Sequence, residues 1–177
     1  MIGKRPFFRC GVAAAIAAMS CACAVGVAGA RSLANVCTQA GVTTASAEKA
    51  FGVKVAATFR PSNGSDFAWC QVVSPKSTTL PSHTVVNVGA QIWLYPTSME
   101  PGVLSSYETK SSVKATLAGF GKGAFSLFTP ASRGTTAGHY VFFIHGPYFV
   151  AIAATNSLTA TPAQLLALAR MIHSKLA

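Results

Sequence analysis

Residues 139–176 read HYVFFIHGPYFVAIAATNSLTATPAQLLALARMIHSKL, and the change of hydrophobic period inside this stretch decides the fold. Residues 139–144 and 148–154 are almost entirely apolar and rich in aromatic and β-branched types, which predicts two strands turning at His145-Gly146-Pro147. The period then changes. Thr161-Pro162-Ala163-Gln164 has the form of a capping box with proline at the first helical position. Leu165, Leu168, Ala169, Ile172 and Leu176 follow at helical spacing, with Arg170, His173 and Lys175 near the negative end of the helix dipole. One apolar stripe predicts a helix lying on a sheet.

Working outward, residues 44–50 predict a short helix capped by Thr44 or Ser46 and stopped by Gly52. Val53, Val55, Ala57 and Phe59 alternate as in a strand, residues 61–66 form a turn cluster, and residues 67–73 resume a strand. Residues 75–81 read as loop. Residues 84–95 give the longest strand, with Val86, Val88, Ala90, Ile92 and Leu94 on one face. A second helix opens at Ser98, with Glu100 and Pro101 in its first turn and Val103, Leu104 and Tyr107 facing inward, Leu117 being a further candidate. A glycine-rich loop at 118–123, a short strand at 124–128 and a loop at 130–138 complete the chain. The order α-β-β-β-α-β-β-β-α predicts an α+β domain whose mostly antiparallel sheet is covered by helices.

Ahead of this domain, Lys4, Arg5 and Arg9 precede a small, apolar stretch at 11–27 that closes on Ala28-Gly29-Ala30. That is the layout of a secretory signal peptide, so residues 1–30 are expected to leave and 31–177 to form a single exported domain. Ala18-Met19-Ser20-Cys21 meets one of the two requirements of a lipid-attachment site, so an anchor at Cys21 is the alternative. The chain carries 14 basic and 4 acidic residues. The leader holds three of the basic ones, leaving 11 − 4 = +7. These cations are scattered, which argues against nucleic acid as a partner. Cys37 and Cys70 are the two cysteines outside the leader, and an even count in an oxidising compartment predicts a disulfide.

Cys37 ahead of a helix ending at Gly52, Trp69-Cys70 on a strand, Gly119-Phe120-Gly121 leading into Ala124-Phe125, and the terminal hairpin with its leucine-rich helix carry a resemblance. Over most of residues 36–176 the chain resembles a family of actinobacterial secreted or lipid-anchored domains of unknown function. Such domains are similar in fold to PsbP and Mog1. The resemblance implies that fold and an envelope setting, and no catalytic residue.

Sequence motifs for chemistry are scarce. Gly119-Phe120-Gly121-Lys122-Gly123-Ala124 fits G-x-G-x-x-A, but a dinucleotide fingerprint follows a strand and opens a helix, whereas this segment leads into a strand. No cofactor is expected. His139 and His145 lie roughly 20 Å apart on a straight strand, so they do not share a metal, and no metal site is expected. Glu48, Asp66, Glu100 and Glu108 are the whole acidic set, and Glu100 and Glu108 stand roughly 12 Å apart along a helix. No catalytic group is assigned and no enzyme is expected. The functional signal is apolar excess, because both faces of the 139–154 hairpin are hydrophobic where a sheet with one wet face alternates. A groove beside Trp93, Tyr95, Phe143 and Phe149 is the expected binding site, for a lipid-like envelope ligand or for docking of a second copy or another protein.

Overall fold

The computed structural model describes residues 35–61, 68–80, 83, 85–131, 137–155 and 157–176. The leader, Cys21 and most of the 61–66 turn cluster lie outside the described residues. Four helices and eight strands follow in chain order: α1 (Val36–Gln39), α2 (Thr44–Phe51), β1 (Ala56–Pro61), β2 (Ala68–Thr79), β3 (Val85–Pro96), α3 (Glu100–Tyr107), β4 (Val113–Thr116), β5 (Phe125–Thr129), β6 (Gly138–His145), β7 (Tyr148–Ala154), β8 (Leu158–Thr159) and α4 (Pro162–Leu176). A single 3-10 turn, Thr97–Met99, leads into α3.

The sheet order is β1-β2-β3-β7-β6-β5-β4, with β8 paired to the start of β3. All neighbours along the main path are antiparallel, and the two-residue β8 is parallel to β3. Two meanders are therefore fused. The chain runs β1-β2-β3, crosses through α3 to the far edge, and returns strand by strand until β7 lies against β3. This is an α+β fold with the C-terminal helix packed on the sheet, as the hairpin-plus-helix stretch predicts.

Side chains separate onto two faces. Cys70, Val72, Ile92, Phe143, Val150 and Ile152 join α1, α2 and α4 in one core. Phe125, Leu127, Phe142, Phe149 and Ala151 join Val103 of α3 in the other. The hairpin of β6 and β7 feeds both, which explains why it is apolar on both sides. Helix α4 buries Leu165, Leu168, Ala169 and Ile172. Its capping box is present: Thr161 N–H donates to Gln164 Oε1 at 2.9 Å, and Gln164 N–H to Thr161 Oγ1 at 3.2 Å. The Gln164 amide also donates to the Phe51 carbonyl at 2.8 Å, tying the first turn of α4 to the end of α2.

Cys37 and Cys70 form a disulfide that fastens α1 to β2. Their sequence separation of 33 sets the size of the closed loop. A loop of that size stabilises the fold by about 3–4 kcal/mol in the chain-entropy account.

Several elements differ from the sequence reading, each for a local reason. The lead-in at 31–45 contains α1, whose first turn is capped by the Asn35 side chain accepting from Thr38 N–H. Thr43, rather than Thr44 or Ser46, caps α2, with Ser46 as the returning half of a capping box. Gly52 ends that helix at φ 69°, in the left-handed region. Strand β2 runs through Pro75 to Thr79, where a loop was expected. The ladder shifts register between Val73 and Ser77, so the proline sits in a bulge, and Asn87 Nδ2 donates to the Ser74 carbonyl at 3.0 Å there. Helix α3 ends at Tyr107, and its continuation is the short edge strand β4. Leu117 consequently lies on the α4 side of the sheet, not under α3.

Candidate functional site

The layers above the sheet are unequal in width, and the candidate site follows from that inequality. A helix with its side chains is about 10–12 Å across and strands are about 4.8 Å apart, so one helix covers about two strands. On one face α4 lies over β6 and β7, while α1 and α2 cover the β1–β3 half. Beyond β6 the sheet continues into β5 and β4. A groove of about 370 Å³ opens there, between the outer strands and the first turns of α4.

Val113 and Leu117 from β4 and its exit, Phe128 from β5, Val141 from β6, and Leu165 and Leu166 from α4 form its apolar wall. Val113 is 63% exposed and Phe128 36%, so the outer wall is open to solvent, whereas Leu165 at 1% forms the floor. Strand alternation explains the set, since Val113 pairs with Phe128 and Ser126 with Val141, and residues opposed across a ladder share a face. Two polar side chains enter this wall. The Ser126 hydroxyl is 3.5 Å from the Ala115 carbonyl it donates to, and the His139 ring lies 4.7 Å from that of Phe128. Among the described residues lining the groove there is no Asp, Glu, Lys or Arg.

The residues expected from sequence fall elsewhere, and on two faces. Trp93, Tyr95 and Phe149 do come together on the α3 side, where Trp93 opposes Ala151 and Tyr95 opposes Phe149. Phe149 is fully buried there and stacks on Phe142 at 5.6 Å. Phe143 belongs to the opposite face. It pairs with Val150, and its ring packs against Phe120 and His173 under α4. The hairpin turns on Gly146-Pro147, so Ile144, not Phe143, shares a face with Phe149. A one-residue difference in register moves a side chain through the sheet.

Under α3 the aromatic layer is closed by phenols. Tyr95 hydrogen-bonds Tyr107, and the Tyr107 ring contacts those of Tyr140 and Phe142. Burial raises the pKa of all three tyrosines above the usual phenol value. For Tyr95 the neighbouring Tyr107 adds to the effect, and for Tyr140 it does so too. In Tyr107 the hydrogen bond from Tyr95 works against burial, which still dominates. At the edge of this layer the Lys114 ammonium sits 3.7 Å from the centre of the Phe125 ring and pairs with Glu108 at 3.2 Å.

The glycine-rich segment between β4 and β5 is the connection of a β-hairpin. Gly119, Gly121 and Gly123 all have positive φ, which side-chain-bearing residues rarely adopt, and Phe120 is buried between them as an anchor. A dinucleotide fingerprint would open a helix at this point; here the segment enters β5.

Among the described residues no group of three or more His, Cys, Asp or Glu side chains gathers as a metal centre. None of the described helices is long and apolar enough to cross a membrane. Comparison with family models, curated proteins and solved structures finds no match to this chain.

The groove was missed from sequence because its lining comes from four separate segments. One signal was available: Val113, Ala115 and Leu117 alternate immediately before the glycine loop, marking a strand apolar on one face.

Proposed function

We propose that this protein is an exported, non-enzymatic binding module of the bacterial cell envelope that holds an apolar or amphipathic ligand in the groove beside α4. The observation that carries this reading is the open, uncharged groove of about 370 Å³ between the outer strands and α4. Its size lies at the small end of ligand pockets, which run from about 300 to 1,000 Å³. A water occupies about 30 Å³ of liquid and a methylene about as much, so the space suits one alkyl chain of about a dozen carbons rather than two. The leader-like residues 1–30 and the resemblance to exported actinobacterial domains support the envelope setting, and the Cys37–Cys70 disulfide is compatible with it.

The test is native mass spectrometry of the protein exported by a bacterial host, followed by titration with lauric acid. Added mass of lipid size on a monomer, and laurate binding weakened at least tenfold by Ala115→Phe, are the expected results. Ala115 lines the groove and is exposed, so the larger ring blocks the space without entering the core. A bare monomer whose laurate binding is the same in wild type and Ala115→Phe sinks the reading.

A second reading, docking of a second copy at the same end of the sheet, is supported by β4. It is an edge strand whose four residues are all exposed. A bare dimer in the same spectra, dissociated by Val113→Lys, would favour it.

A further inference from the structure

We propose that His145 and His173 form a two-imidazole site for a late first-row divalent metal ion, with copper(II) the tightest binder. The two residues are 28 positions apart in the chain, and the fold alone brings them together. His145 ends β6, and His173 stands in the last turn of α4. Their ring centres are 4.7 Å apart and their planes cross at 85°.

That spacing accommodates one shared ion. A metal–nitrogen bond of about 2.0–2.1 Å puts each ring centre about 3.2 Å from the ion. Two rings at a right angle around it then stand about 4.5 Å apart, and at the tetrahedral angle about 5.2 Å. The observed separation lies between the two, and copper(II) is the tightest binder because it heads the stability order of the divalent first-row ions.

The surroundings support the same assignment. His173 is held edge-on by Phe120 at 5.3 Å and Phe143 at 5.6 Å, so the α4 ligand is positioned before any ion arrives. Both histidines are partly exposed, so an ion in solution can reach their rings. Imidazole is the ligand type suited to copper(II), nickel(II) and zinc(II). Water completes the coordination sphere. Because one ligand comes from the sheet and one from the helix, the ion clamps the end of α4 to β6.

The test is titration of the purified untagged protein with copper(II) and, separately, zinc(II), by calorimetry and by electron paramagnetic resonance for copper. One equivalent is expected to bind, copper more tightly than zinc, with a spectrum showing two nitrogen ligands and a rise in Tm. His145→Phe and His173→Phe keep a ring in each place and should each weaken copper binding at least tenfold. His83→Asn, at an exposed turn before β3 and outside the groove, should leave it unchanged. Circular dichroism of the metal-free variants separates loss of ligand from loss of fold. Absence of one-equivalent binding, or copper binding undiminished in the His145→Phe/His173→Phe double variant, overturns the proposal.

Discussion

The two faces of the sheet are closed by different means, and the contrast explains where the molecule is firm and where it is open. On one side α4 supplies fifteen residues, a complete capping box and four buried side chains, and α1 is bonded to the sheet by the disulfide. On the other, α3 is eight residues long, has no side-chain cap and buries Val103 alone. There the strands themselves provide most of the cover, through Phe142, Phe149, Trp93, Tyr95 and Tyr140, with Tyr107 of α3 packed among them. A long helix packs deeply but is only about two strands wide, and it leaves the groove at its flank. Aromatic side chains rising from the sheet fill the space that a short helix cannot.

The comparison is sharpest where one buried side chain from each layer is removed. Phe143→Ala is expected to cost about 3–5 kcal/mol, because the ring is fully buried beneath α4 and its loss leaves a cavity. Val103→Ala, at the one fully buried residue of α3, is expected to cost about 1–2 kcal/mol, close to the burial of two methylenes. Equal losses in urea unfolding would mean that the two layers contribute alike.

A smaller effect separates the helices at their ends. Thr161→Ala removes one half of the α4 capping box and should cost about 1 kcal/mol. Ser98→Ala, in the uncapped turn ahead of α3, should change stability by less than about 0.5 kcal/mol. Unfolding midpoints of the two variants check this directly.

The smallest expected effect is confined to alkaline solution. Tyr95, Tyr107 and Tyr140 have folded pKa values above the usual 10, so the folded state holds protons that the unfolded chain releases. Their contribution is fully present below pH 10 and is lost as pH rises through the folded values. Thermal unfolding followed with tyrosinate absorbance should show Tm falling above that point. Tyr95→Phe should flatten the fall, and an unchanged slope would show that the cluster ionises as freely as the unfolded chain.

How much of this could be read in the chain depends on how local each signal is. The 139–154 hairpin, α4 with its cap and α2 with its Gly52 stop are written in short windows, where side-chain periodicity and turn chemistry act directly. The bulge at Pro75 and strand β4 were not read. A proline and a four-residue edge strand have little periodicity of their own and are stabilised by their neighbours in the sheet. Trp93, Tyr95 and Phe149 share one face while Phe143 lies on the other, because facing depends on the residue at which the hairpin turns.

By itself the sequence determined the α+β class, the C-terminal helix on its sheet and the cysteine pair, all consequences of period, capping and count. Only the tertiary structure decided the strand order, the face on which each aromatic lies, the groove beside α4 and the meeting of His145 with His173. Those features depend on segments far apart in the chain, and their spacing is set by the width of a helix against the width of the sheet it covers.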